Sequence, residues 1–554
     1  MTKSDFLTHD VYNQPEELFG YNLFDTDSTL ASFFGYFGVE QQDLSEFGGL
    51  LGSPEVIEMA RQANEYPPRL RSYDKGGNRI DQVEFHPSWH RLMELTISRG
   101  TASFPEVNSP DKHAHLKRAV GLYLASQIEA GHGCPVSMTH ASVPSLRHEP
   151  DLAKIWEPLL RSRIYDYSTQ DPMKKAGLTM GMAMTEKQGG SDVRSNSTRA
   201  IPLGDGTYEL IGHKWFCSAP MSDGFMTLAY GPEGQGCFLV PRVLEDGRKN
   251  GIRIERLKEK LGNKSNASAE IEFLGAIGLP VGEQNRGVKT IMDMVGFCRL
   301  DSLVGSAAHM RHSLVQALWF ASKRSAFAKK LIEHELMRNV LVDLALESKA
   351  STLMALRMSQ AADLSASDEL EAQLKRVGVA ISKFLVCKRA PGFVAEAMEC
   401  LGGSGYVEDS VTARLFRESP LNGIWEGAGN VNALDVRRAL AKEQSAADAM
   451  EIELKKGSGL YSTYDEAARS VTEQLKSRTF DEWSTRSFVA SLGLLLQASL
   501  MIQFASRVES EAFVKSRLEQ HEQIEQGGGH LIYGAIGPMK GSEVDEILDS
   551  VFPL

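Results

Sequence analysis

The chain has 554 residues, of which 42% are hydrophobic and 24% charged, and its formal net charge is −12. This composition excludes fibrous and low-complexity proteins, and the length predicts about two to four structural units. The negative charge argues against a protein whose whole surface attracts nucleic acid, although a local basic patch is compatible with that sum.

The N-terminus and the cysteines favour a reducing cytoplasm. Residues 1–6 lead into polar and acidic sequence without an apolar or Arg-rich targeting segment. The cysteines form no C-x-x-C pair, so neither a zinc site nor a disulfide framework is expected. They are Cys134, Cys217, Cys237, Cys298, Cys387 and Cys400.

Hydrophobic spacing divides the chain into five regions. An N-terminal segment, residues 1–50, precedes a helical region at 51–180, where apolar residues recur every three or four positions. Short apolar runs separated by Gly, Pro, Asn and Asp predict strands over 181–290. Helices are expected again over 291–440 and in an extra C-terminal domain, 441–554. This order predicts an α+β, mostly α protein rather than a Rossmann sheet.

The longest apolar run, residues 488–505, contains Ser491, Gln497, Ser499 and Gln503. Eighteen residues are just long enough to span a bilayer. The polar side chains favour a buried helix, so no membrane span is expected.

A polar loop, Ala183–Asp192, stands where helices give way to strands. Glycines such as Gly190 permit close approach of a ligand, and the hydroxyls of Thr185 and Ser191 can donate to carbonyl or phosphate oxygens. Alone, this pattern also fits a surface turn.

Three further segments carry candidate binding groups. In the strand-like run ending Phe216-Cys217-Ser218, an aromatic ring and a hydroxyl suit a flavin, or a buried strand. Gly402 and Gly403 either end a helix or let backbone N–H groups approach a pyrophosphate.

The fourth segment contains Trp425, Glu426, Gly427 and Asn430. Apolar neighbours raise a carboxyl pKa by desolvating the ionised form, which would make Glu426 a general base near neutral pH. A glutamate before a glycine is, on its own, usually solvated.

Together these segments resemble the acyl-CoA dehydrogenase family, whose two sequence signatures are matched by Ala183–Ser195 and Glu399–Glu418. The resemblance covers about residues 50–440. It implies an N-terminal helical domain, a middle β-barrel-like domain, a C-terminal four-helix bundle, and a homotetramer that binds FAD between subunits.

The resemblance also assigns roles by position. Glu426 corresponds to the base that removes the α proton of an acyl-CoA thioester, while a hydride passes from Cβ to the flavin. Cys298 fills the position that supplies the base in some relatives. Arg324 and Phe327 resemble a pair that reaches the FAD pyrophosphate of a neighbouring subunit, although the glycine that follows in the family is Ala328 here. The implied FAD contacts are Met184, Thr185, Gly190, Ser191, Phe216, Cys217, Ser218, Arg324, Phe327, Glu399, Gly402, Gly403, Trp425, Gly427 and Asn430. The acyl chain and the electron acceptor stay open.

Residues 9–15, 73–79 and 83–90 resemble the AidB-type branch of the family, adaptive-response proteins induced by DNA alkylation. The branch implies an alternative function, a DNA-binding protective flavoprotein with little dehydrogenase turnover.

The charges count against double-stranded DNA as a partner of the C-terminal domain. Residues 441–554 contain 11 Lys and Arg against 18 Asp and Glu, a balance of −7. Two small clusters remain as candidates, one of Arg469, Lys476, Arg478 and Arg486 and one of Lys515 and Arg517. A basic stretch, residues 242–264, fits the phosphates of CoA, those of a nucleic acid, or a solvated edge.

His86 and His90 have the spacing of metal ligands on a helix, but Pro87 lies between them and no cysteine or paired glutamate is near. Packing is the preferred interpretation, and no metal is expected.

Overall fold

A computed structural model describes residues 8–106, 109–519 and 532–553. Residues 1–6, on which the expectation of no targeting segment rests, lie outside these ranges.

The N-terminal region is mainly helical, and its buried faces form one continuous core with the later helices. Its helices are α1 (Ser28–Phe37), α2 (Gln42–Leu51), α3 (Pro54–Glu65), α4 (Pro87–Ser98), α5 (Ala114–Ile128), α6 (Gly133–Leu146) and α7 (Pro150–Leu160).

A β-hairpin interrupts these helices and corrects the expectation of helices throughout residues 51–180. Strand β1 (Arg69–Tyr73) pairs antiparallel with β2 (Arg79–Glu84). In the turn, the Asp74 carboxylate accepts the N–H groups of Gly76 and Asn78 at 2.8 and 2.9 Å, and Gly77 has a φ of 81°. Asp, Gly and Asn in this arrangement stabilise a tight turn that a helix cannot contain.

The middle region is a small β-barrel, as the sequence predicted. Pairing runs from β6 through β7, β9, β5 and β4 back to β6, with β3 added on β6 and β8 on β9. Alternate side chains fill its interior. The strands are β3 (Met180–Ala183), β4 (Arg199–Pro202), β5 (Tyr208–Ser218), β6 (Gly224–Gly231), β7 (Gly234–Pro241), β8 (Ile252–Leu257) and β9 (Ser268–Val281).

The predicted helical bundle follows the barrel. Its central helix, α8 (Gly287–Lys323), packs against α5 and α6 on one side and against α9 (Glu335–Leu364) and α10 (Glu369–Glu399) on the other, while α13 (Gly429–Lys442) packs on α10. The connections contain the hairpin of β10 (Ser325–Ala326) and β11 (Lys329–Lys330), and the short helices α11 (Gly403–Tyr406) and α12 (Val411–Glu418). Because α8 is enclosed by other helices, it is buried on nearly every face.

The C-terminal helices are joined to the bundle by buried ion pairs. Arg517 pairs with Asp343 and Glu347 of α9, and Arg357 lies 2.8 Å from Glu453. The helices are α14 (Gln444–Lys455), α15 (Ser462–Ser477), α16 (Thr485–Phe504), α17 (Arg507–Leu518) and α18 (Gly541–Val551). By length and composition α16 could cross a membrane, but 67% of its apolar window is buried inside the protein, in line with the predicted buried helix.

Candidate active site

Glu426 lies in a tight loop between a 3-10 turn, Leu421–Gly423, and the start of α13. Its φ is 57° and that of Gly427 is 96°. A left-handed conformation costs a residue with a Cβ about 1–2 kcal/mol, so surrounding contacts must hold Glu426 in place.

Two buried cations provide those contacts. Lys383 Nζ donates to the carbonyl oxygens of Trp425 at 2.9 Å and Gly427 at 3.0 Å. Arg299 Nε donates to the Glu426 carbonyl oxygen at 2.9 Å, and its Nη1 is held by Asp435 at 2.7 Å. Three successive carbonyls therefore face positive charge. Among the described residues, the N–H of Glu426 has no acceptor.

The carboxyl group of Glu426 is enclosed, although the residue as a whole is only half-buried. Burial raises the pKa of Glu426 to about 7, and the charges of Lys383 and Arg299 oppose the rise. A carboxylate with this pKa is a suitable general base near neutral pH.

Glu426 and Trp425 line a cavity of about 60 Å³ between α5, α6 and α8. Cys298, also in its wall, takes the alternative base position. Burial and then the charge of Glu426 raise the pKa of this thiol well above its ordinary value, so it stays protonated. Of these two side chains, Glu426 is the one able to accept a proton at neutral pH.

The end of β5 reaches the same region. Burial raises the pKa of the Cys134 thiol in the cavity wall to about 12, with the Ser218 hydroxyl lowering it and the charge of Glu426 raising it. The hydroxyl of Ser218 also lies 3.3 Å from that of Ser268. Ser218 and Glu426 therefore both act on the Cys134 thiol, which places the end of β5 near the Glu426 carboxyl.

The predicted flavin loop runs alongside β5. The Thr185 carbonyl accepts the N–H of Trp215 at 2.7 Å, and the Met184 carbonyl accepts Asn196 Nδ2 at 2.8 Å. Gly190 turns back toward Thr185, since a Cβ on Gly190 would lie 3.5 Å from Thr185 Cγ2. Gly190 and Ser191 are exposed, which leaves their polar groups accessible to a ligand.

Beneath the loop lies an ion pair that the sequence reasoning missed. Lys214 Nζ is 2.9 Å from Glu186 Oε1, and both side chains are fully buried. Glu186 also accepts from the backbone N–H groups of Ser197 and Thr198 at 2.6 and 3.2 Å. Charge and backbone bonds lower the pKa of Glu186 to about 2 against the effect of burial. The Lys214–Glu186 pair holds the buried side of the loop in place. The only hint of it in the sequence was the presence of Glu186 within the loop motif.

The strand alternation separates Phe216 from Cys217. The Phe216 ring is 54% exposed, while Cys217 is fully buried in the barrel core. Because the Cys217 thiol lies in the barrel core, a cofactor contact of Cys217 would have to be made by its backbone, and that contact stays a prediction. Lys258 Nζ lies 3.6 Å from the Trp215 ring centroid and 4.5 Å from that of Phe216.

Two of the predicted FAD contacts, Arg324 and Phe327, lie on a surface far from Glu426. Helix α8 is continuous from Cys298, beside Glu426, to its C-cap Arg324, which at 1.5 Å per residue corresponds to about 40 Å. Arg324 donates to the Asn13 carbonyl at 2.5 Å, and Phe327 is 93% exposed in the β10–β11 turn. One protomer does not bring these residues to Glu426.

Glu399, Gly402 and Gly403 end α10 on an exposed segment. Gly402 has a φ of 59°, and in the described part of the chain no atom outside the adjoining backbone lies within 4 Å of a Cβ placed on Gly402 or Gly403. Close by, the C-terminal part of α8 lines a cavity of about 300 Å³ with Leu401 and Ser404. The remaining predicted contact, Asn430, is exposed at the start of α13 and accepts from Arg486 at 2.5 Å.

The basic residues considered for DNA are largely engaged. Arg517 is 2% exposed and paired within the protein, which corrects its predicted place on a positive surface. Lys515 pairs with Glu511 at 2.5 Å, and Lys476 pairs with Glu451 at 3.0 Å. In the 242–264 stretch the ion pairs are Arg248–Asp246, Arg253–Glu255, Arg256–Glu270 and Lys258–Glu270.

The two histidines pack against aromatic rings. His86 caps α4 and stacks on Tyr66, and His90 stacks on Tyr167 with ring centroids 4.2 Å apart. In the part of the chain that the structure describes, no group of three or more His, Cys, Asp or Glu side chains is arranged to hold a metal.

Three family models match the chain. They are the adaptive response protein AidB N-terminal domain over residues 13–167, the acyl-CoA dehydrogenase middle domain over 181–275 and the acyl-CoA dehydrogenase C-terminal domain over 285–441.

Individual proteins of the same family are similar to this chain over most of its length. The putative acyl-CoA dehydrogenase AidB of Escherichia coli K12 is 41% identical over 92% of this chain and 95% of its own length. Acyl-CoA dehydrogenase family member 11 of Caenorhabditis elegans is 32% identical over 78% of this chain and 72% of its own. The crystal structure of C. elegans ACDH-11 in complex with C11-CoA has a TM-score of 0.80 at 26% identity, and the match covers 100% of this chain and 96% of that one.

Proposed function

The chain belongs to the AidB-type branch of the acyl-CoA dehydrogenase family, and on that premise we propose that it binds FAD and oxidises the α,β bond of an acyl-CoA thioester. The observation that carries the proposal is the Glu426 loop, which presents a carboxyl group of raised pKa and a backbone N–H that has no acceptor within the described ranges.

The residues present fit the cofactor. The exposed Phe216 ring, the Ser218 hydroxyl and the open loop at Gly190 and Ser191 offer an aromatic face and polar groups along one side of β5. When bound, FAD supplies the acceptor for the hydride that leaves the β carbon. Met184, Thr185 and Trp425 would complete the contacts around it.

The protein's own contribution is to move the α proton and to stabilise the charge that results. The Glu426 carboxylate takes the proton. The N–H of Glu426 donates to the thioester oxygen, where negative charge develops, and this is strongest in an enclosed site. Lys383 and Arg299 keep both groups of the same residue in fixed positions.

The FAD site spans two copies of the chain in a homotetramer. The separation of about 40 Å along α8 supports this, because Arg324 and Phe327 would serve a neighbour's cofactor while Glu426 serves its own. The exposed Phe327 ring suits an interface. Phe327→Asp should lower the mass measured by light scattering and the FAD content together; a tetramer that keeps its FAD would contradict this arrangement.

A DNA-associated role is the second candidate, favoured by the match to the AidB N-terminal domain. The acidic C-terminal region and the internal pairing of its cations weigh against it. A cytoplasmic location suits both candidates, since all six cysteines are buried free thiols.

Anaerobic titration of the purified protein tests the dehydrogenase proposal. The protein should be yellow, and at least one acyl-CoA from a panel of short, branched and long chains should bleach the flavin absorbance. A panel that leaves the flavin oxidised would refute it.

A further inference from the structure

The inner end of the Glu426 cavity is polar. Helix α8 turns one face into the cavity, with residues spaced by three or four positions. Two residues from outside the helix, Asn263 and Glu418, line the cavity with His309, and we call this the inner end because His309 lies about three turns along α8 from Cys298. The α8 residues in the wall are Cys298, Asp301, Ser302, Gly305 and His309.

Several of these polar atoms lack partners inside the protein. His309 is 2% exposed, and within the described ranges neither of its ring nitrogens has a hydrogen-bond partner. Asn263 is likewise 2% exposed, and its Oδ1 atom is unpaired there. An unsatisfied buried polar group costs about 1–3 kcal/mol, so a hydrophobic acyl chain would leave this cost in place.

The side chains that bind at this end would carry little charge themselves. Burial, with help from the charge of Arg414, lowers the pKa of His309 to about 4, so the ring is neutral and offers one donor and one acceptor. Burial raises the pKa of Glu418 to about 7, and its Oε1 accepts the N–H of Asn263 at 2.7 Å. Behind these side chains, the charge of Glu129 raises the pKa of Glu418, and the charges of Arg414 and Lys260 lower it.

The volume of the cavity limits the size of the acyl group that can bind in it. A buried water needs about 10–15 Å³ of such space, so a cavity of about 60 Å³ has room for about four to six heavy atoms. That matches a short acyl group rather than a long one.

We propose that this cavity selects a short acyl-CoA whose chain carries an uncharged hydrogen-bonding group, such as a hydroxyl, at the end remote from the thioester. His309 and Asn263 bind that group, and Glu418 contributes a further hydrogen bond. The inference rests on the proposed acyl-CoA site and specifies its substrate class.

Calorimetric titration with four probes tests it on the FAD-containing protein: butyryl-CoA, 4-hydroxybutyryl-CoA, succinyl-CoA and decanoyl-CoA. We expect 4-hydroxybutyryl-CoA to bind at least about tenfold more tightly than butyryl-CoA, the worth of one hydrogen bond to a buried group. Succinyl-CoA should bind more weakly than 4-hydroxybutyryl-CoA, because its carboxylate would lose its hydration beside the uncharged side chains of His309 and Asn263.

Variants assign the preference to named residues. His309→Leu should bring the affinity ratio of the hydroxylated to the plain ester close to one, and Glu418→Gln should lower it. His140→Leu is the matched control, since His140 is also buried with both ring nitrogens unpaired among the described residues but does not line the cavity. It should keep the wild-type ratio.

Equal affinity for the two butyryl esters, tighter binding of decanoyl-CoA, or an unchanged ratio in both His309→Leu and Glu418→Gln would overturn the proposal. Should His309→Leu fail to fold, Glu418→Gln and the wild-type ratio still decide. Selective binding without flavin bleaching would support the polar pocket while refuting dehydrogenation. Bleaching by butyryl-CoA without selectivity would do the reverse.

Discussion

Arg299 Nε donates a 2.9 Å hydrogen bond to the carbonyl oxygen of Glu426. The charge of Arg299 also lowers the pKa of the Glu426 carboxyl against the larger effect of burial, as does that of Lys383. The two cations therefore set both the conformation of the loop and the basicity of its side chain.

Lys383→Met should slow acyl-CoA-dependent flavin reduction at pH 7 by at least about tenfold, because two backbone hydrogen bonds of the Glu426 loop are lost. The rate should rise with pH through about 7 in the wild type, since the base must be ionised. Without the Lys383 charge this rise should shift to higher pH. Stopped-flow traces across pH 6–9 measure both. Lys154→Met, which alters an exposed lysine of α7, should match the wild type.

Glu426→Gln should stabilise the protein at high pH. The folded pKa of about 7 lies above the ordinary 4.5, so folding favours the protonated acid, and stability is lost as pH rises from 4.5 through 7. The loss amounts to at most about 3 kcal/mol. Urea unfolding should show a gain for Glu426→Gln at pH 8 that largely disappears at pH 5. An equal difference at both pH values would contradict the raised pKa.

The helix and strand order could be predicted because it is encoded locally, with strands appearing as short apolar runs. The barrel and the role of Glu426, which follows the signature at Glu399–Glu418, came from the family resemblance. The hairpin at β1–β2 was missed because its strands are only partly buried and lack a strong apolar alternation. Lys383 and His309 were missed because their roles depend on contacts between distant segments, which spacing along one chain does not reveal.

Glu186→Gln should destabilise the protein by about 3–5 kcal/mol and lower its FAD content, because the buried Lys214 would lose the carboxylate that stabilises its charge. Adding Lys214→Met should restore part of the stability. The exposed pair Arg248–Asp246 offers a control, and Asp246→Asn should change the free energy of unfolding by less than about 1 kcal/mol. Similar costs for Glu186→Gln and Asp246→Asn would show that the buried pair does not support the loop.

Duplex DNA should show little electrophoretic retardation even at about 50 mM salt, because the C-terminal region has a balance of −7 and much of its positive charge is paired. Retardation at low salt that disappears by about 200 mM would instead establish phosphate contacts and favour the DNA-associated candidate.

The central claim is that Glu426 is the base for oxidation of an acyl-CoA. Anaerobic reduction of the bound flavin, measured for the wild type and Glu426→Gln with the same acyl-CoA, tests it most directly. We expect bleaching in the wild type and a rate at least about 100-fold lower in the variant, with FAD still bound. Bleaching at equal rates in both proteins would contradict the assignment of Glu426.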